Sequence, residues 1–205
     1  MKRPRLSLNL ALSADGKISS VARRPSGWTS KEDHARLLDL RKGADALLVG
    51  RGTLEADRMT MKAPGDPWRC VVSRGGGFDP AHPLFHTPGG PVHLLVTDGV
   101  APEIPGVTVH SASLAAFLET LAAGGIRRVH CEGGGQLVFA LAGLDAIDEI
   151  HLTWAGHTLF GGREAPTLSG VPGDFLPATR EYELTAFEPL PESGECFLSY
   201  RRKPQ

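Results

Sequence analysis

Residues 129–141, VHCEGGGQLVFAL, join a strand-like apolar run to a helix-like apolar run through three consecutive glycines. Glycine weakens both kinds of element, so Gly133, Gly134 and Gly135 mark a turn where something approaches the main chain too closely for a side chain. The same order of strand, glycine and helix recurs at residues 45–53, DALLVGRGT, with Gly50 at the turn. A helix start carries unpaired N–H groups and partial positive charge, which attract phosphate. Two such turns at the carboxyl ends of strands point to a dinucleotide with several phosphates. The spacing is neither the G-x-G-x-x-G fingerprint nor a Walker loop, which argues against a standard Rossmann or P-loop domain.

Outward from these turns, strand patterns alternate with helix patterns. RLSLNLAL, DALLVG, WRCVVS, PVHLLVTDG, VTVH, RRVHC and DEIHLTWAG read as strands. TSKEDHARLLDLRKG reads as a helix with a hydroxyl cap at Thr29 or Ser30, an acidic first turn and one apolar face on Leu37, Leu38 and Leu40. SLAAFLETLAAGG and QLVFALAGL read as helices, the latter with its apolar face in the core. REYELTAFEPL and GECFLSYRR predict a terminal antiparallel hairpin around PESGE. The expectation is an α/β sandwich with mostly parallel strands, in one domain over residues 1–205. Gly75 to Pro91 reads as a long surface connection, and the prolines of PAHPLFHTPG speak against a regular helix and against a metal pair at His82 and His86.

A net charge of −1 over 205 residues gives no electrostatic case for nucleic acid or an anionic membrane. No apolar run reaches the roughly 18 residues of a membrane span. Cys70, Cys131 and Cys196 are scattered and odd in number, which fits reduced core thiols in the cytoplasm.

Arg51, at the start of a helix, and Ser73 with Arg74, after a neighbouring strand, suit the extra 2′-phosphate of NADPH, because guanidinium binds phosphate through paired donors. The expected cofactor is therefore NADPH rather than NADH.

LNLALSADGK, SGWTS, DALLVGRGTLEAD, CEGGGQL and HTLFGGREAPTL occur in that order. Together they resemble the reductase of riboflavin biosynthesis, the RibD C-terminal domain family within the dihydrofolate-reductase-like superfamily, over roughly residues 4 to 201. The resemblance implies a dihydrofolate-reductase-like three-layer sandwich, a homodimer, and NADPH-dependent reduction of 5-amino-6-(5-phosphoribosylamino)uracil to its ribityl form. It places Ala11, Trp28, Gly50, Thr53, Asp57, Ser73, Gly134, Gly135, Gln136 and Leu137 at cofactor positions. Asn9, Ser26, Arg41 and Glu132 fall on the substrate side.

A carboxyl near the reacting carbon could hold sugar hydroxyls or relay a proton, and Glu132 and Asp57 are the candidates. Each also fits a structural role, Asp57 as a helix-end residue and Glu132 as a cap acceptor. The family usually continues Asp-Asp-Pro-x-Leu-x-x-Arg where this chain has Asp57-Arg58-Met59-Thr60-Met61-Lys62. Lys62 then offers a point charge to a substrate phosphate in place of a guanidinium fork. That departure leaves open a related reductase acting on a pterin or another small carbonyl or imine. A non-catalytic NADP(H)-binding module is the alternative from another class.

Overall fold

The computed structural model describes residues 2–22, 27–170, 176 and 178–203. Ser26, expected at the substrate, lies outside the described residues. In chain order the elements are β1 (Arg5–Ser13), α1 (Lys31–Lys42), β2 (Ala46–Gly50), α2 (Arg51–Ala56), β3 (Trp68–Ser73), α3 (Pro83–His86), β4 (Val92–Val96) and β5 (Val107–Ser111). They continue with α4 (Leu114–Ala123), β6 (Arg128–Cys131), α5 (Gly135–Gly143), β7 (Glu149–Ala155), β8 (Tyr182–Leu190) and β9 (Glu195–Arg202).

All nine strands form one sheet in the order β5-β4-β3-β2-β6-β1-β7-β9-β8. The strands from β5 across to β7 pair in parallel, and β9 pairs antiparallel with both β7 and β8. The chain moves outward from β1 through β5, then returns to insert β6 between β2 and β1 before stepping to β7. Parallel crossovers are right-handed, so reversing direction sends the connecting helix to the opposite face. That reversal explains the layers. Leu54 of α2 and Leu84 of α3 pack with Leu47, Val49, Val71 and Leu94 on one face, whereas α4 and α5 pack with Leu6, Leu8, Leu48 and Cys131 on the other. Period-2 alternation supplies both cores from the same strands. Phe117, Leu118 and Leu121 of α4 are fully or almost fully buried, each worth about 1.5–3 kcal/mol of burial.

Three expectations need correction. First, α1 does not dock by an apolar stripe. Ser30 caps it as expected, accepting from Asp33 N, but its one buried residue is Arg41, and Leu38 is exposed. Asp33 accepts from Thr153 Oγ1 at 2.5 Å, and Arg36 donates to Leu152 O, Leu198 O and Ser199 Oγ while stacking over the Phe197 ring. The inward face is polar because β1, β6, β7 and β9 present Asn9, His130, Thr153 and Ser199 to it. Second, Pro83 begins one helical turn rather than preventing it, since its missing N–H falls where a helix start has no use for one. The Gly75–Pro91 connection is also partly internal, with Phe78, His82 and Leu84 buried.

Candidate active site

The two glycine turns meet. Gly50 N donates to Gly133 O at 2.7 Å, and Glu132 N donates to Leu48 O at 2.9 Å, so the end of β2 continues its pairing with the end of β6. The starts of α2 and α5 consequently lie side by side at the carboxyl ends of adjacent strands. Gly50 and Gly134 are their N-caps, and neither helix start is closed by a side-chain hydrogen bond. Nine-residue α5 thus presents main-chain N–H groups and positive dipole with no side chain of its own covering them.

The glycines themselves have an internal explanation as well. A methyl group at Gly133, which has a φ of +86°, would lie 2.8 Å from Leu10 Cδ2. At Gly134 it would lie 2.7 Å from Thr53 Oγ1, and at Gly135 2.8 Å from Thr167 O. The close approach inferred from the glycine run is made first of all by the chain's own β1, α2 and the 167–170 turn. The run therefore reports tight packing of the cradle, and the uncapped helix starts carry the case for an anion.

Beside this cradle, Arg41 at the end of α1 reaches Glu132 at the end of β6. Its Nε and Nη2 donate to the two carboxylate oxygens, each at 2.6 Å, and Nη1 donates to Lys62 O at 3.1 Å. Both side chains are nearly buried, so each charge is compensated by the other. The fork takes an acceptor position on each oxygen of Glu132, which suits this carboxylate to accept bonds from a ligand rather than to give it a proton. Asn9, buried on β1, belongs to the same face of the sheet.

Lys62 closes the 57–62 loop. Arg41 holds its carbonyl, and Arg69 Nη1 reaches Thr60 O at 3.3 Å. Between these clamps Met61 is buried with a φ of +53°, and Met59 packs in the same core. Asp57 is the C-cap of α2.

On the other side of the cradle, Arg51 Nη1 donates to Gly77 O at 3.1 Å and to Glu55 Oε1 at 3.0 Å. The expected partners, Arg51 and the Ser73–Gly77 turn, are thus neighbours. Ser73 is buried and donates to Gly76 O, while Arg74 is exposed. Trp28 packs edge-on against Phe160, with ring centroids 4.9 Å apart. Asp15 accepts from Ser13 Oγ and from the N–H groups of Phe160 and Gly161, bonds that hold its carboxyl below the usual range and tie the Asp15–Gly16 turn to the 160–161 loop.

His130, which no motif singles out, is 1% exposed and lies on the site face, with Nδ1 2.9 Å from Ser7 Oγ. Alternation in VHCE would have found it, since Val129 and Cys131 point to one core and His130 and Glu132 to the other face. Burial pushes its pKa down to about 4. His82 and His86 have separate partners, Leu84 N and Pro80 O.

Comparison with known proteins identifies the family. Residues 4–189 match the RibD C-terminal domain. The chain is 32% identical over 192 residues to the 2,5-diamino-6-ribosylamino-4(3H)-pyrimidinone 5′-phosphate reductase of Archaeoglobus fulgidus, covering 81% of this chain and 86% of the relative. Among solved structures, the deaminase/5-amino-6-(5-phosphoribosylamino)uracil reductase of Thermotoga maritima superposes with a TM-score of 0.80 at 22% identity. That match covers 98% of this chain but only 57% of the other, so the chain spans little more than half its length. A dihydrofolate reductase from Enterococcus faecalis superposes with a TM-score of 0.59 at 17% identity, covering 98% of this chain and 97% of that one. The chain belongs to the RibD C-terminal domain family and is an oxidoreductase of dihydrofolate-reductase-like fold.

Proposed function

We propose that the protein is an NADPH-dependent reductase of a phosphorylated ribosylamino-pyrimidine in riboflavin biosynthesis. The observation that carries the reading is the convergence of two uncapped helix starts, at Gly50 and Gly134, next to the buried Arg41–Glu132 pair. An anionic cofactor and a hydroxyl-rich substrate would each meet suitable groups there, on adjacent strand ends.

The donor set fits the cofactor. Main-chain N–H groups at 133–135, with Thr53, would hold the pyrophosphate. Arg51 and Arg74 would hold the 2′-phosphate, with Arg51 already oriented by Gly77 O, and Ser73 would shape their turn through its bond to Gly76 O. Ala11, Trp28, Gln136 and Leu137 would line the remainder. When bound, NADPH supplies the hydride. The chain's own task is positioning, which accounts for much of the barrier in such reactions. Glu132, held by Arg41, and Asn9 would receive hydroxyls of the opened ribose. Lys62 would meet the phosphate, and Ser26 would complete the substrate side. Asp57, at the end of α2, remains the second candidate carboxylate.

For the base, the 32% identity to reductases named for the 2,5-diamino-pyrimidinone favours that substrate over the deaminated uracil. The reading includes one domain over residues 1–205, supported by the single sheet, and a cytoplasmic location, supported by three free, buried thiols. It also includes a homodimer. Trp154, Leu184 and Phe187 are 49%, 53% and 62% exposed, and the β7–β9–β8 register puts them on one face.

The test is oxidation of NADPH with each pyrimidine in turn. Faster turnover of the diamino compound is expected. Cofactor binding without turnover of either substrate would instead support a non-catalytic module, and no NADPH binding would overturn the whole reading. Light scattering of the same sample checks the dimer.

A further inference from the structure

Two buried polar atoms on the site face have no hydrogen-bond partner among the described residues: Asn9 Oδ1, in a residue 8% exposed, and His130 Nε2, in a residue 1% exposed. The β1–β6 register sets Ser7 opposite His130 and Leu8 opposite Cys131. Asn9, two residues beyond Ser7, is therefore the diagonal neighbour of His130 on a strand about 4.8 Å away. Glu132 follows His130 by two residues and carries Arg41.

The chemistry of the two atoms is complementary. Ser7 Oγ lies 2.9 Å from His130 Nδ1 and 3.5 Å from Val129 O, and we assign the tautomer in which the hydroxyl donates to the nearer ring nitrogen. Desolvation keeps the imidazole neutral at ordinary pH. With Nδ1 accepting, Nε2 carries the proton and is a donor. Asn9 Oδ1 is an acceptor. A group that both accepts from one and donates to the other is an O–H, and leaving either atom unpaired carries an uncompensated desolvation cost.

We propose that Asn9 Oδ1 and His130 Nε2 form a receptor for one O–H group beside the Arg41–Glu132 pair, which makes His130 a specificity-determining residue. This rests on the reductase reading for its ligand. The O–H comes either from a hydroxyl of the opened ribose chain or from a fixed water that the substrate packs against.

The experiment combines crystal structures, free and with a non-reducible substrate analogue, with kinetics of His130→Leu and His130→Gln. An oxygen within about 3.2 Å of both atoms is expected. His130→Leu is expected to raise KM for the pyrimidine tenfold or more while leaving the NADPH Kd within error. His130→Gln, whose amide N–H reaches the place of Nε2, should restore KM. If the source is a substrate hydroxyl, a deoxyribosyl analogue lacking it binds the wild type and His130→Leu alike. If it is a water, the parent and deoxy compounds weaken equally, and the same oxygen appears in free and bound crystals. Direct contact between the two atoms, or an unchanged KM in a folded His130→Leu, overturns the proposal. Should the wild type reduce no pyrimidine phosphate, the reductase reading falls, while the free-protein crystal still decides the receptor.

Discussion

Arg41 and Glu132 face each other as a two-bond fork, both contacts 2.6 Å, with the pair buried between the end of α1 and the end of β6. Removing one partner strands the other charge away from water, which costs about 3–5 kcal/mol. Glu132→Gln is therefore expected to lower unfolding free energy by about that amount in urea titration. The double variant Arg41→Met/Glu132→Leu should recover most of the stability but none of the turnover. Recovered turnover would show that the pair only fastens α1 and has no part in holding substrate.

The same pair shows what the sequence could and could not reveal. Alternation in RLSLNLALS separates four leucines from Ser7, Asn9, Ala11 and Ser13, and the helix and strand order follows from such local periods. Arg36 and Arg41 defeat that reasoning. On a helix read alone, arginines belong to the solvent side, and it is chiefly the carbonyls of Leu152 and Leu198 and the carboxylate of Glu132 that turn them inward. Those partners are more than 90 residues away in sequence, beyond the reach of any local pattern. The glycine run was legible as a tight place, but its nearest neighbours, Leu10, Thr53 and Thr167, were not.

Gly134→Ala is expected to do two separable things. Its methyl group would sit 2.7 Å from Thr53 Oγ1, so packing strain of about 1–3 kcal/mol should appear as a lowered melting temperature. It would also crowd the pyrophosphate at the start of α5. Adding Thr53→Ala relieves the first effect. A double variant that regains both stability and NADPH affinity in a fluorescence titration would remove the phosphate from this place. Recovery of stability alone is the expected result.

Arg51→Ala should erode the preference for NADPH over NADH, because the lost guanidinium would meet only the 2′-phosphate. A roughly tenfold fall in the ratio of the two affinities corresponds to about 1.4 kcal/mol, within the range of one charged hydrogen bond. Equal weakening of both cofactors would instead mean that Arg51 merely braces the 73–77 turn through Gly77 O.

Arg69 is buried, and no carboxylate among the described residues pairs with its guanidinium. It donates to the carbonyls of Gly90, Thr60, Leu84 and Thr87, joining the 57–67 loop to the 83–91 segment. Arg69→Met leaves several buried carbonyls without donors, at about 1–3 kcal/mol for each one water cannot reach. The variant should melt earlier and be cut faster by protease within residues 58–66. KM for the phosphorylated substrate should rise as Lys62 loses its placement, with the NADPH Kd unchanged. Proteolysis at the wild-type rate would show that Arg41 alone holds the loop.

Acid should loosen the far edge of the sheet. His93 on β4 stacks on Trp68 with centroids 4.1 Å apart, and its Nδ1 lies 3.0 Å from His110 Nε2 on β5. A hydrogen bond between two imidazoles needs at least one of them neutral. Burial, then the neighbouring His110, pushes the His93 pKa from 6.5 down to about 4, and burial alone lowers that of His110. The folded protein thus binds fewer protons than the unfolded chain between these values, so stability rises with pH across that window. His130, also pushed down to about 4, acts in the same direction. Melting temperature is expected to be level above about pH 6.5 and to fall steadily toward pH 4. His93→Phe keeps an aromatic ring on Trp68 without the titrating nitrogen, so its acid limb should be shallower than that of the wild type. Identical slopes for the two proteins would place the acid sensitivity at His130 or elsewhere rather than at the β4–β5 edge.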